Sequence, residues 1–355
     1  MNNEPILDEF FTKLAAHTTY PNVEVVAVDD GSTDRSRDVL RRWKRDGPWS
    51  EFTLIEQENG GVSECLNRAI AAASGDVLVR LEGDATIETP GWLESMLRLQ
   101  GTSDRVGVVV ARIIFESGHV HSLGRNVVHP DGLHDRGTRI LERRGRRTLD
   151  TAVDRPLERH AQNLDQVAEV DAALGCCTLF RREVARRVGG IDTRFSPVWI
   201  EDDDFSFAVR REGWKVFYHP DVRVVHQPTK RNARHGPREG KRPIQGPVGL
   251  AALVPYRAKR LVGPWLALRK EPAWRVRLLN RHYQSWREKW GFDPLNPNLD
   301  AIRKRWHGSE ILWAEDEELR AAGRDVAQTY RSREESSPGR GDRDRVPVDR
   351  DWKIQ

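Results

Sequence analysis

The chain has 355 residues, a formal net charge of +4 and 32% charged residues, which allows one large domain or one domain with an appendage. Its three cysteines lack the spacing of a disulfide framework or of a zinc motif and predict a reducing compartment. No apolar run reaches the length of about 18 residues that a membrane-spanning helix needs, and the first residues lack the pattern of a signal peptide.

The first predicted elements are a helix over 5–17 and a strand that begins at Val23. The strand is a continuous β-branched run that ends in Asp29, Asp30 and a Gly-Ser-Thr-Asp turn. Such a run predicts a strand buried on both faces of a parallel sheet, and ligands bind at the carboxyl ends of such strands. Alternatively, the two carboxylates only cap the helix predicted over 35–46.

A second strand, over 77–81, also stops at carboxylates, in the sequence Glu82-Gly83-Asp84. Two such strands in one parallel sheet place their acidic ends along the same edge. Paired carboxylates favour a hard cation, Mg²⁺ or Mn²⁺, which would neutralise a bound diphosphate. The alternative is a pair of solvated turn residues.

Residues 116–168 are polar and weakly periodic, and they predict a long irregular excursion of the kind that carries acceptor-binding loops. His119 and His121 lie in it and are expected in solvent. Cys176 and Cys177 are expected as small core residues.

Four consecutive acids, residues 201–204, follow Trp199 and open an amphipathic helix. The helix dipole explains acids in a first turn but does not require four of them. A carboxylate here could deprotonate a hydroxyl nucleophile. The segment after this helix predicts strands that close at His226.

The order of these motifs resembles the family 2 glycosyltransferases, inverting enzymes of the GT-A fold that use nucleotide-sugar donors. The resemblance covers about residues 5–227 and rests on YPNVEVVAVDDGSTD, ENGGVSECLNRAI, SGDVLVRLEGDA, GCCTLFRREV with GGIDTRF, and WIEDDDFSFAVRREGWKVFYHPDVRVVH. It implies an α/β fold with a mostly parallel sheet flanked by helices: a Rossmann-like nucleotide-binding half, an acceptor half and a helical C-terminal extension.

On the donor side, the resemblance implies that Asp29 binds the base of a UDP- or dTDP-sugar, with Asp30 beside it. Asn59 and Asn67 match loop and helix positions near the nucleotide. Glu82 matches the residue near the ribose.

On the metal and acceptor side, the resemblance implies that Asp84 binds the divalent cation and that His226 completes its site. Asp202, in the Glu201-Asp202 pair, matches the catalytic base. Trp199 is expected to contact the acceptor, a glycan or lipid-linked glycan of a cell-surface polysaccharide.

Two features depart from the family pattern. Glu82 stands where the family usually has aspartate, and the chain starts at Met1 just after the point where the family's first strand ends. We therefore expect that strand to lie upstream or to be lost, which would remove one wall of the pocket. The alternative function is a non-catalytic pseudo-glycosyltransferase that binds a nucleotide or a glycan.

The predicted organisation is a catalytic domain over 1–227, a basic linker over 228–248, a helical Trp-rich extension over 249–319 and a disordered charged tail over 320–355. Between Lys230 and Arg277 there are 13 basic and 2 acidic residues. Residues 249–270 either pack on the catalytic domain or lie on an anionic membrane surface. No nucleic-acid module is recognisable, so nucleic acid is not an expected partner. The predicted location is cytoplasmic, including the inner face of the cell membrane.

Overall fold

The computed structural model describes residues 1–127, 134–136, 139–144, 150–161, 164–228 and 273–295. Its helices are α1 (Glu4–His17), α2 (Ser36–Asp46), α3 (Val62–Ala72), α4 (Trp92–Gln100), α5 (Arg182–Val188), α6 (Glu201–Arg211) and α7 (Ala273–Trp290). Its strands are β1 (Glu24–Asp30), β2 (Glu51–Gln57), β3 (Val77–Leu81), β4 (Ala85–Ile87), β5 (Val106–Phe115), β6 (Val120–Ser122), β7 (Arg125–Asn126), β8 (His134–Asp135), β9 (Arg139–Arg144), β10 (Asp150–Asp154), β11 (Ala168–Val170), β12 (Cys177–Arg181) and β13 (Lys215–His226).

The N-terminal part consists of α1 and the parallel pair β1–β2. The helix predicted over 5–17 is confirmed, and its apolar stripe, including Phe10, Phe11 and Leu14, is buried in the main hydrophobic cluster. Phe11 stacks on Trp43 of α2, with ring centroids 5.3 Å apart. This packing fixes α1 against α2.

A larger sheet has the strand order β11-β13-β5-β12-β3, with β4 on β13 and β6 on β5. The predicted α/β class, with helices flanking a sheet, is confirmed, but the sheet is mixed rather than mostly parallel. Strands β5 and β13 are parallel, whereas β12 runs antiparallel to both β3 and β5. The reason is that β12 follows the irregular excursion after β5, and an antiparallel neighbour needs no crossover helix.

The pairing of β1 and β3 differs from the arrangement that the sequence predicts. Among the described residues, β1 pairs only with β2, and β3 pairs with β12 alone. Residues 25–28 and 77–81 are accordingly half-buried, although the sequence predicts that the first of these runs is buried on both faces. The prediction that both strands belong to one parallel sheet is wrong, because β1 and β3 lie in different sheets. Both strands nevertheless contribute side chains to the same hydrophobic cluster.

The predicted excursion after β5 contains two short antiparallel strand pairs, β7–β8 and β9–β10. Strand β7 also bridges to Ala172 on the far side of the excursion. These contacts hold Arg125 and His121 against the body of the sheet.

Helix α7 docks on α6. Trp286 and Trp290 are fully buried and meet the ring of Phe207 edge-to-face, with centroids 5.0 and 5.6 Å apart. Asp204 accepts hydrogen bonds from Lys289 Nζ at 2.7 Å and from Trp290 Nε1 at 2.9 Å. The helix predicted in the Trp-rich extension is thus present over Ala273–Trp290 and supports the helix that carries the acid run.

Several predictions lie outside the described residues. These are the basic linker beyond residue 228, the membrane-contact segment 249–270, and the part of the extension and tail from 296 to 355. Within the part of the chain that is described, no helix combines the length and apolar character needed to cross a bilayer.

Candidate active site

The predicted metal-binding residues are brought together where β3 and β13 end. Strand β13 pairs antiparallel with β4, with His226 opposite Ala85, so the imidazole lies over the turn after β3. His226 Nε2 is 3.5 Å from Asp84 Oδ1 and 4.0 Å from Glu82 Oε2. The three residues offer ligand atoms that all lie within 4.8 Å of one another. Two carboxylates and one imidazole at this separation fit a divalent cation.

Asp29 lies buried at the carboxyl end of β1, as the sequence predicts. Its Oδ2 accepts hydrogen bonds from the Ser32 amide at 3.0 Å and from Arg37 Nε at 2.7 Å. Burial alone would raise the pKa of Asp29, but these hydrogen bonds outweigh it and hold the pKa below its ordinary value. The carboxylate therefore stays ionised and can accept a hydrogen bond from a nucleotide base.

Asp30 holds the loop after β2 in place. Its carboxylate accepts from Gln57 Nε2 at 2.8 Å and from the amides of Gly60 and Gly61 at 2.7 and 3.1 Å. The predicted residue Asn59 lies exposed in this loop and donates to the Asp30 carbonyl at 3.3 Å. Asp30 thus positions Asn59 beside β1 and has its own carboxylate engaged by protein donors.

Asn67 is engaged with another part of the chain. Its Nδ2 donates to the Ile191 carbonyl and its Oδ1 accepts from the Ile191 amide, both at 2.8 Å. The side chain therefore ties α3 to the loop between α5 and α6. We infer that Asn67 orients this loop, in addition to the nucleotide-side position that the sequence predicts for it.

The four acids that open α6 occupy four different environments. The exposed fraction of the side chain is 4% for Glu201, 11% for Asp202, 0% for Asp203 and 2% for Asp204. Asp203 forms an ion pair with Arg125 at 2.9 Å, and Asp204 accepts a hydrogen bond from Lys289 of α7. Asp202 is therefore the acid that solvent, and an acceptor hydroxyl, can best reach.

Asp202 is oriented by the backbone around it. Its Oδ2 accepts from the Gly175 amide at 3.0 Å, and its Oδ1 accepts from the Asp203 amide at 2.9 Å. Arg125 Nη1 lies 3.7 Å from Oδ1. A carboxylate held in this way keeps a fixed direction while its remaining lone pairs stay available to accept a proton.

Arg80, a residue that sequence reasoning missed, links Glu201 to the end of β3, where Glu82 and Asp84 form the candidate metal-binding edge. The buried Arg80 Nη2 lies 3.0 Å from both Glu201 Oε1 and Glu82 Oε1. Its guanidinium covers Gly175, where an added Cβ would come within 2.1 Å of Cζ. One arginine thus joins the acidic end of β3, the start of α6 and the Gly175 loop.

The ionisation of Glu201 is set by its surroundings. Burial and the neighbouring charge of Asp202 raise the pKa of Glu201 to about 7, against the lowering effect of Arg80. Since the ordinary pKa is 4.5, the unfolded chain ionises Glu201 before the folded chain does. The stability that protonated Glu201 contributes is therefore present below about pH 4.5 and is lost as the pH rises to about 7.

Replacing Glu201 by glutamine is expected to flatten this pH dependence, because the amide does not ionise. Between about pH 4.5 and about 7 the free energy of unfolding should lose the slope that Glu201 contributes, at most about 1.4 kcal/mol per pH unit. Urea unfolding across this range measures it. Glu183→Gln, on the exposed face of α5, is the matched control and should keep the slope. An unchanged slope in Glu201→Gln would contradict the assignment.

Trp199 lies directly before α6 in a constrained backbone. Trp199 and Ile200 both have positive φ, 75° and 73°, a region that non-glycine residues seldom adopt. The Trp199 indole stacks on Trp274, with centroids 5.9 Å apart and an interplanar angle of 16°, and Arg275 lies over it at 4.9 Å. The stacked indoles, with Trp274 half exposed, form an aromatic surface next to the acid run.

His121 and Cys176 are the other residues whose surroundings the sequence did not indicate. His121 is half-buried and not in a solvated loop: its ring packs against those of Phe115 and His226, with centroids 4.1 and 5.0 Å away. Cys176 is buried as predicted, but its Sγ lies 3.4 Å from Glu82 Oε2 at the metal-binding edge. Burial raises the pKa of the Cys176 thiol and lowers the pKa of His121.

These features agree with the sequence comparison. The family profile described as "Glycosyl transferase family 2" matches residues 1–189, more than half of the 355 residues. The chain therefore belongs to glycosyl transferase family 2.

Curated relatives resemble parts of the chain. An uncharacterized glycosyltransferase of Nostoc sp. is 38% identical over 91 residues, which cover 26% of this chain and 28% of that protein. The O-antigen biosynthesis protein RfbC of Myxococcus xanthus is 26% identical over 222 residues, 62% of this chain and 16% of that protein. The chain thus spans less than a third of the length of either relative.

Among solved structures, the mannosyltransferase PcManGT from Pyrobaculum calidifontis is 21% identical, with a TM-score of 0.44. The match covers 92% of this chain and 79% of that one.

Proposed function

We propose that the chain is an inverting glycosyltransferase that moves a sugar from a UDP- or dTDP-sugar to a hydroxyl of a glycan or lipid-linked glycan. The observation that carries this proposal is a juxtaposition. A carboxylate–imidazole set suited to a divalent cation is joined through Arg80 to Glu201, and the next residue in the chain is Asp202, the most exposed of the four acids. Single displacement at a sugar carbon needs these two functions on opposite sides of the reacting centre.

On the donor side, Asp29 accepts a hydrogen bond from the base, and Glu82 faces the ribose. Asp30 contributes to nucleotide binding indirectly, because it fixes the loop that carries Asn59. Asp84, His226 and Glu82 would hold a divalent cation, Mg²⁺ or Mn²⁺. Such a cation, when bound, neutralises charge on the diphosphate leaving group.

Asp202 is the base in this proposal. Its carboxylate takes the proton of the acceptor hydroxyl, and the freed oxygen forms a bond to the anomeric carbon. The bond between that carbon and the diphosphate oxygen breaks on the opposite face, so the configuration inverts. The ion pairs of Arg80 with Glu201 and Glu82 hold the start of α6 next to the end of β3 during this step.

The acceptor approaches over the stacked indoles of Trp199 and Trp274. An indole offers a large flat apolar face against which a sugar ring can pack, and its N–H can bind a hydroxyl. Because Trp274 belongs to α7, this arrangement makes the extension part of the acceptor side. The catalytic unit is then residues 1–227 together with the docked helix.

The test of this proposal is calorimetric titration of UDP in the presence and absence of Mn²⁺. Metal-dependent binding is expected, and Asp84→Asn should weaken it at least about tenfold, since even an outer-shell change at a metal site has that effect. Asp76→Asn, at the opposite and exposed end of β3, is the matched control and should bind as the unchanged chain does.

Equal binding by the Asp84→Asn variant and the unchanged chain would place the donor cation elsewhere. Binding without transfer in a screen of donor sugars and glycan acceptors would support the non-catalytic alternative.

A further inference from the structure

A second set of metal-ligand side chains lies against the Glu82–Asp84 edge. His121, Cys176 and His226 offer ligand atoms that are all within 4.8 Å of one another. The two imidazoles are stacked almost parallel, at 7°, and their Nδ1 atoms are 3.3 Å apart. These residues come from β6, the loop before β12 and the end of β13, which only the folded sheet brings together.

The set is held in place by its neighbours. His121 stacks on Phe115, and its carbonyl accepts a hydrogen bond from Arg155. Arg155 in turn donates to Asp135 Oδ2 at 2.7 Å, which offsets the charge of the guanidinium next to the imidazole. Cys176 is buried beside Glu82. Such outer contacts fix the direction of ligand groups before an ion arrives.

We propose that His121, Cys176 and His226 form a binding site for a divalent cation that prefers sulfur and nitrogen ligands, such as Zn²⁺. One thiolate and two imidazoles are the donor set that zinc takes in proteins, whereas Mg²⁺ and Mn²⁺ prefer oxygen. Tetrahedral bonds of about 2.1 and 2.3 Å require ligand atoms about 3.5 Å apart, and the two Nδ1 atoms are already about this far apart. The stacked rings must turn about their Cβ–Cγ bonds so that both in-plane lone pairs point at one ion. The thiol proton passes to solvent as the sulfur–metal bond forms.

His226 belongs to both candidate metal sites, so the two sites cannot be occupied at the same time. Its Nε2 faces Asp84 Oδ1 at 3.5 Å, and its Nδ1 faces His121. A neutral imidazole has one nitrogen without a proton, so it can serve one ion at a time. Zinc at the sulfur-containing site therefore weakens the binding of Mn²⁺ at Glu82 and Asp84. This exclusion rests on the proposed function, whereas the zinc site itself does not.

Titration of the full chain with Co²⁺, a spectroscopic substitute for Zn²⁺, tests the site. We expect a thiolate-to-cobalt charge-transfer band in the near ultraviolet that added Zn²⁺ removes. Cys176→Ser should abolish the band, and His121→Ala should weaken cobalt binding at least about tenfold. Cys177→Ser is the matched control, because this adjacent buried thiol is not in the set, and it should keep the band.

The absence of the band at saturating Co²⁺, or its persistence in a folded Cys176→Ser variant, would overturn the proposed site. Circular dichroism of each variant establishes that it is folded. Titration of Mn²⁺ into zinc-loaded and zinc-free chain then tests exclusion: we expect at least about a tenfold difference in affinity, and equal affinities would overturn it. If the zinc-free chain fails to bind UDP with Mn²⁺, the proposed transferase function fails while the cobalt result stands.

Discussion

Replacing Asp202 by asparagine is expected to lower the turnover of sugar transfer by about 10²–10⁴-fold, the range that general bases contribute. The amide cannot take up the acceptor proton, but it has nearly the same shape as the carboxylate. Donor binding should persist, because Asp202 does not contact the residues proposed to hold the nucleotide. The amide can replace only one of the two acceptors used by Gly175 and Asp203, so we expect a loss of about 1 kcal/mol in stability. Steady-state kinetics and UDP calorimetry measure the two effects separately.

Asp203→Asn is the matched control for this prediction. The residue is the next in the chain and undergoes the same chemical change, but its side chain is completely buried against Arg125 and cannot touch an acceptor. Turnover per folded molecule should fall far less than in Asp202→Asn. Equal losses in the two variants would mean that the acid run acts through its structure, and full turnover in Asp202→Asn would exclude it as the base.

The sequence is informative about this site wherever a strand ends in acids. The positions of Asp29, Glu82 and Asp84 follow from apolar runs that stop abruptly, and in the structure these residues do lie at the ends of strands. The acid run at the start of α6 is equally visible. The sequence does not indicate which of its four members faces solvent, because the answer depends on Arg125 and on Lys289 of α7, which lie far away in the chain.

The strand directions were harder to predict for a similar reason. A continuous apolar run is typical of parallel sheets, yet β3 pairs antiparallel with β12, and its side chains are only half-buried. The pairing is decided by the route of the excursion between β5 and β12, which has weak local signals. His121 and Cys176 meet His226 through that same route.

Arg80 did carry a local signal. It is the one charged residue in the otherwise apolar strand Val77–Leu81, and a buried charged side chain needs a partner. The partners are Glu82, two residues along the chain, and Glu201, which is 121 residues away. Only the first could have been proposed from spacing, so the bridge between the two halves of the site emerges from the fold.

Replacing Arg80 by methionine is expected to cost about 3–5 kcal/mol of stability, the usual effect of removing one partner from a buried ion pair. Methionine keeps most of the side-chain volume, but Glu201 stays buried without its cation. Because Arg80 lowers the pKa of Glu201, this pKa should lie above about 7 in the variant; the loss should therefore be smallest below about pH 7 and should grow as the pH rises above that value. Urea unfolding at several pH values measures it. Arg41→Met, which breaks an exposed pair with Glu56, should cost no more than about 1 kcal/mol.

The double variant Arg80→Met with Glu201→Gln separates charge from packing. If the destabilisation comes from an uncompensated carboxylate, the neutral amide should restore much of the lost stability and remove its pH dependence. If the double variant is as unstable as Arg80→Met alone, the loss instead reflects packing of the guanidinium over Gly175. Recovery of stability without recovery of transfer would show that transfer needs the contacts of Arg80 with Glu82 and Glu201 as well as an intact fold.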